Sequence, residues 1–345
     1  MKGLTKKIAA LTIAAVMVMA SFVGCSNASI NKDEVVATVG DREITLGLAN
    51  FYIRYQQSAL ESIYMSYYGD AMWTLEVGED GETYEENVRE TAVESIKHLY
   101  ILEDHMDDYN VTLTEEDLAA IESVADTFIK ANEADVLEVI SGDKEIVKEV
   151  LKLSTISYKM ETAMTADVNT EVSDDEAAQK KLQYITFSKT KTAEDGTSSE
   201  MTDEEVAVLK TEAETFLTNA KAKGDLEAYA KEIDKASSSI TFDKDSTTLD
   251  KELITAADSL GEKEFSGVLE TDTAFYVMQL VSLFDEEATE TEKENIVAER
   301  KNEKYNEIYE AWEEETPFEL NEKVLAKIDL QNMGITVKTE EETEK

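Results

Sequence analysis

One long β-type run stands out in a chain that otherwise reads as charged helix. Between Ala274 and Phe284 the residues Phe275, Tyr276, Val277, Val281, Leu283 and Phe284 are all strand formers. The stretch from Glu264 leads into it through a polar corner at Thr271, Asp272 and Thr273, so Glu264 to Phe284 reads as two joined strands. A strand of that length needs cover, and the segment before it has to supply that cover.

Upstream, Ser173-Asp174-Asp175-Glu176 gives an N-cap signal, and Leu182 to Ser188 reads as a strand. Lys189 to Met201 reads as a polar loop. Thr202-Asp203-Glu204-Glu205 caps a helix to Lys223 with Val206, Leu209, Ala213, Phe216, Leu217 and Ala220 as its stripe. Gly224 closes it, Asp225 to Glu232 makes a short helix, Ala236 to Asp250 is polar and irregular, and Leu253 to Leu260 is helical. That order predicts an α+β unit, a small mixed sheet covered by helices.

The preceding block has a different texture. Glu34 to Thr45 reads as a β-hairpin turning at Gly40-Asp41. From Leu46 to Met164 the apolar residues recur at helical spacing: Leu48, Phe51, Tyr52 and Tyr55; Val88, Ala92 and Ile96; Leu118, Ile121 and Ala125; Val147, Val150 and Leu151. Tyr52, Tyr55 and Tyr64 make the first of these helices aromatic, and they are the candidates for contact with extended or unfolded peptide. Asp285 to Glu315 reads as a long charged helix with a thin stripe of Ile296, Tyr305, Ile308, Tyr309 and Trp312. The only proline, Pro317, ends it; Phe318 to Leu330 reads as a further strand or helix edge.

The first residues read as an address. Lys2, Lys6 and Lys7 precede Ile8 to Val23, which carries no charge and ends in Phe-Val-Gly-Cys. Cys25 is the only cysteine, so an internal disulfide is excluded. The pattern resembles a bacterial lipoprotein signal, cleaved before Cys25 with lipid on its thiol. It predicts a body outside the cytoplasm, attached to a membrane through Cys25. The 33 Lys and Arg against 76 Asp and Glu give a net charge of −43, which repels nucleic acid and anionic headgroups and favours cationic partners.

Taken together, the leader, the VVATVGDREIT hairpin, the segment TDEEVAVLKTEAETFLTNAKAKGDLEAYAKEI and the segment LITAADSLGEKEFSGVLETDTAFYVMQLV resemble the extracytoplasmic parvulin-type foldases: PrsA-type lipoproteins and the related SurA chaperones. The resemblance implies a helical chaperone domain from residues 34–172 and 285–337, with a parvulin-like domain inserted at 173–284. A signal peptide at 1–24, a tether at 25–33 and an acidic tail at 338–345 complete that division. It also implies clients that are unfolded or partly folded secreted proteins.

Parvulins turn X-Pro bonds against a barrier of about 18–20 kcal/mol. The family places a histidine on the first strand and another on the last; the matching positions here are Tyr184 and Tyr276. The apolar residue expected before the loop corresponds to Asp258, Ser237 to Asp250 lacks the family's glycines, and no cysteine remains for the site. These departures imply that isomerase activity is weak or lost, and that the domain serves as a binding or spacing module. The competing class is a non-catalytic surface lipoprotein, an adhesion or envelope-scaffold module. A solute-binding lipoprotein is disfavoured by the lack of repeated βα units.

No cofactor or metal is expected. His98 and His105, the only histidines, are seven residues apart on one helix, about 10 Å along its axis, too far to share an ion. Asp243 and Asp245 resemble the start of a calcium loop, but Thr248 stands at the turn-glycine position and Ile254 at the closing-Glu position.

Overall fold

The computed structural model describes residues 22–23, 30–78, 81–192, 196–331 and 336–337. Cys25, most of the expected leader and the acidic tail lie outside the described residues. The chain divides into two units: residues up to Asp167 with Asn302 onward, and Val168–Lys301.

The first unit begins with the expected hairpin, Val35–Val39 against Arg42–Thr45, turning through Gly40 at φ 54°. That left-handed conformation suits a residue without a Cβ. A third strand, Phe318–Leu320, pairs antiparallel with Val39, Thr38 and Ala37. Helices Leu46–Tyr68, Tyr84–Asp104, Glu115–Ala131, Ala134–Val139 and Lys144–Met164 follow the hairpin. Capping decides where they start. Thr45 accepts from the Leu48 amide, and Thr83 with Glu86 and Thr114 with Asp117 form complete capping boxes. Their apolar stripes meet in one core that includes Val36, Ile44, Phe51, Ile96, Phe128, Val147 and Ile156. Phe51 and Phe128 meet edge to face, with ring centroids 5.6 Å apart.

The second unit holds a four-stranded sheet in the order Ser238–Phe242, Lys180–Ser188, Ala274–Ser282, Leu269–Glu270, with antiparallel pairing throughout. The long run is a central strand, and Leu283 and Phe284 fall beyond its end, exposed. Ser238–Phe242 lies inside the stretch expected to be irregular, and Thr190–Thr192 pairs with Ser198–Glu200 inside the expected loop. Helices Asp203–Lys223 and Leu226–Glu232 cover one face, packing Ala213, Phe216, Ala220 and Leu226 on Ile185, Phe187, Phe275 and Val277. Helix Lys251–Asp258 covers the other, with Leu253, Ile254 and Ala257 on Leu182, Met278, Leu280 and Phe242.

Gln279 organises the turn between the first two of these helices. Its Oε1 accepts from the Leu226 amide at 2.8 Å, and its Nε2 donates to the carbonyls of Gly224 and Lys263, each at 3.2 Å. The helix Glu286–Glu315 passes through the division at 301/302, and its first half goes with the sheet unit. There Thr289 accepts from the Gln179 amide at 3.1 Å, Lys293 pairs with Asp174 at 2.6 Å, and Arg300 donates to the Asn169 carbonyl at 3.1 Å.

Candidate functional site

Strand alternation puts Tyr184 and Tyr276 on the same face of the sheet. Tyr184 is registered opposite Met278 and Tyr276 opposite Thr186, so the two are diagonal neighbours, with ring centroids 6.2 Å apart. Both are half-buried, at the margin of the cluster beneath helix Lys251–Asp258, with Ile240, Leu249, Ala256, Leu260 and Leu269 also partly covered there. Burial pushes the Tyr276 phenol above its ordinary value, and the nearby Asp250 and Tyr184 add to this against a hydrogen bond to Thr186. The Tyr276 phenol is therefore neutral at pH 7. It can donate one hydrogen bond and accept others, but it does not take up a proton as an imidazole does.

Asp258 is not brought to this pair. Its carboxylate meets Lys180 Nζ at 2.8 Å, and Lys180 lies four residues before Tyr184 on the same strand, about 13 Å away at strand rise. The apolar helix positions that reach the sheet on this side are Leu253, Ile254 and Ala257. Asp258 sits at the helix end, paired and part-exposed, so no isolated carboxylate is buried beside the tyrosines.

The aromatic candidates on helix Leu46–Tyr68 separate into two groups. Tyr52 and Tyr55 pack against the helical core, and burial raises both phenols. Tyr64 lies further along, where Ile63 is 55% exposed, Tyr64 40%, Tyr67 80% and Tyr68 55%. Exposed Leu75 and Val77 follow in the next segment, and Tyr84 stacks on Trp73 at 5.5 Å. Tyr67 and Tyr68 lie at the end of the same helix, and their exposure depends on where the helix leaves the core.

The two histidines do separate structural work. His98 Nε2 lies 2.6 Å from the Tyr305 hydroxyl, its ring 4.1 Å from that of Tyr309, while His105 stacks on Trp312 at 4.0 Å. Burial lowers the His98 pKa, partly opposed by Glu313. Among the described residues no group of three or more His, Cys, Asp or Glu could hold a metal ion, and no helix is long and apolar enough to cross a membrane.

Residues 203–294 match the family of the PPIC-type PPIASE domain. Tyr276 and Asp258 lie inside that match, and Tyr184 lies before it. Among solved structures, the chain is similar to a foldase protein PrsA from Lactococcus lactis, at 18% identity over 88% of this chain and 95% of that one, with a TM-score of 0.31. It is also similar to foldase protein PrsA from Streptococcus pneumoniae, at 17% identity over 74% of this chain and 98% of that one, TM-score 0.30. A structure of SurA-like chaperones of Campylobacter jejuni gives 11% identity over 83% of this chain and 98% of that one, TM-score 0.30. No curated protein matches the sequence. The resemblance to parvulin-type foldases thus stands on the PPIC-type segment.

Proposed function

We propose that the protein is a membrane-tethered, extracytoplasmic folding factor for secreted proteins, and that its parvulin-like domain binds rather than isomerises. The observation that carries this reading is the PPIC-type segment together with the adjacent Tyr184 and Tyr276 on one face of the sheet. Tyr184 and Tyr276 can hydrogen-bond to an extended chain, while the family's imidazoles are absent. The domain division at 34–172 with 285–337, and 173–284, belongs to the same proposal. So do the lipid anchor on Cys25 and client contact through Tyr64, with Tyr67 and Tyr68 beside it. The exposure of these aromatics in a chain of net charge −43 supports it, since apolar contact is concentrated in a small area while the charge keeps the rest solvated.

Two assays on the chain from Ser26 onward test it. Suppression of aggregation of an unfolded client is expected, falling several-fold in Tyr64→Ser/Tyr67→Ser/Tyr68→Ser. A proline-limited refolding substrate is expected to fold at its uncatalysed rate. Acceleration abolished by Tyr184→Ala or Tyr276→Ala would overturn the non-catalytic reading.

A further inference from the structure

The first helix carries a row of buried polar residues on its inner side: Asn50, Arg54, Gln57, Ser58 and Glu61, all at most 3% exposed. A row like this is costly unless every group finds a partner. Some partners lie within the row: Arg54 Nε donates to Asn50, Arg54 Nη1 to Gln57 and Gln57 Nε2 to Glu61. Asn50 Nδ2 donates to the Val139 carbonyl and Ser141, and Ser58 to the Tyr55 carbonyl, while Arg54 and Gln57 also reach main chain from the far end of the sequence. Arg54 Nη2 donates to the Asp329 carbonyl at 2.8 Å, and Gln57 Nε2 to the Leu330 carbonyl at 3.1 Å.

The second helix completes the grip. Arg89 donates to the Ile328 carbonyl at 2.9 Å, and the Glu85 carboxylate accepts from the Leu330 amide at 2.7 Å. Four side chains thus hold three consecutive carbonyls and one amide. The side chains of Ile328 and Leu330 go into the core at 0% and 1% exposure. The contacts to Ile328–Leu330 read main chain plus an apolar-x-apolar pattern, and three of the four groups held are carbonyls that any sequence supplies.

At its distal side the Gln331 side chain donates to the other oxygen of the Glu85 carboxylate at 2.6 Å. The Gln331 amide turns back to its own neighbour, Asp329. Further on, Thr336–Val337 pairs with Phe22–Val23, a pairing that removal of the leader would abolish. Release of Ile328–Gln331 therefore breaks these side-chain-to-backbone bonds, the Gln331–Glu85 side-chain bond and the bond from the Ile328 amide to the Leu325 carbonyl, and withdraws two apolar anchors, with no strand ladder within the segment itself.

We propose that the groove between helices Leu46–Tyr68 and Tyr84–Asp104 is a site for an extended apolar-x-apolar peptide, occupied in cis by Ile328–Gln331 as a strap that such a segment of an unfolded protein displaces. The occupant is the argument for the ligand: it shows the backbone geometry, the side-chain spacing and the hydrogen-bond partners that fit. This rests on the folding-factor reading and gives it a site. A tethered strap competes at a high effective concentration, so a free peptide binds weakly until the strap is loosened.

The test uses the chain from Ser26 onward and a dye-labelled peptide of this protein's own residues 325–332, Leu-Ala-Lys-Ile-Asp-Leu-Gln-Asn. The variant Ile328→Asp/Leu330→Asp releases the strap. It is expected to keep its helical circular dichroism and to bind the peptide at least tenfold more tightly than the parent chain. N-methylation of the peptide leucine corresponding to Leu330, which removes the hydrogen donated to Glu85, is expected to abolish the gain. A folded variant with no gain overturns the proposal. If the variant fails to fold, hydrogen exchange in the parent chain decides. A Leu330 amide exchanging at least a hundredfold faster than those of Val36–Val39 supports a strap that opens on its own, and exchange as slow as theirs overturns it. Suppression of client aggregation by the parent chain without any strap effect would sink the groove and leave the folding-factor reading standing. Peptide binding without suppression would do the reverse.

Discussion

The two units bury different kinds of polarity. In the helical unit the buried polar set includes the charged side chains Arg54, Glu61, Glu85 and Lys97. In the sheet unit it consists of neutral groups: Gln179, Ser266, Gln279 and Thr289. Buried ions stabilise weakly in net terms and are punishing when one partner goes, whereas neutral hydrogen bonds lose less. The helical unit therefore depends on a few long-range polar contacts, and the sheet unit mainly on the shape of two apolar faces.

The largest expected effect breaks that contrast at its strongest point. Arg54→Leu leaves the Asp329 carbonyl, Asn50 Oδ1 and Gln57 Oε1 without this donor, and is expected to cost about 3–5 kcal/mol in denaturant unfolding. Burial already lowers the Arg54 pKa, to about 10, which leaves it charged at neutral pH. In the sheet unit, Gln279→Leu keeps the volume but strands the Leu226 amide and two carbonyls. It is expected to cost about 1–3 kcal/mol by the same measurement. Equal losses in the two variants would dissolve the distinction between the units.

The smallest effect is a gain. Burial raises the Glu61 pKa against its bonds to Gln57 and Trp73 and the Arg54 charge, so the folded state holds the proton more tightly than the unfolded state does. Such a group contributes fully below the unfolded carboxylate pKa, and its contribution is lost as pH rises through the folded value. Glu61→Gln keeps an acceptor for Trp73 and is expected to stabilise at pH 7 by about 0.5–1 kcal/mol. Paired melting curves are expected to converge as pH falls to about 4, near the unfolded carboxylate value. A stability difference unchanged between pH 7 and pH 4 would show that the Glu61 charge is not its source.

The sheet unit was largely legible because its signals are local: the β-formers of Ala274–Ser282, the Thr202 capping box, and Gly224 at φ 78° after the long helix. Ser238–Phe242 was not, since Ser-Ser-Ile-Thr-Phe is short and mostly polar; only Ile240 and Phe242 alternate, as suits an edge strand. The family resemblance aligned Tyr184, Tyr276 and Asp258 by order; the strand register makes the two tyrosines diagonal neighbours, while Asp258, at the end of its helix, pairs with Lys180. Tyr52 and Tyr55 share the helix of Tyr64, yet which aromatics face solvent is set by the helices packed beside them. The row Asn50, Arg54, Gln57 and Glu61 repeats at spacings of four and three, a helical stripe in its own right. It reads as a solvated face until its partners near the C-terminus are known.

The strand Phe318–Leu320 sits beside Val35–Val39, nearly three hundred residues earlier in the chain. A ribosome or a secretion pore delivers the hairpin first and its third strand last. The contacts of Val168–Lys301 are all available before Phe318 emerges, so the inserted unit is able to finish first while the unit that opens the chain waits, its sheet one strand short. The protein's own maturation thus contains an interval in which a hydrophobic surface stands uncovered, the same hazard its proposed clients present.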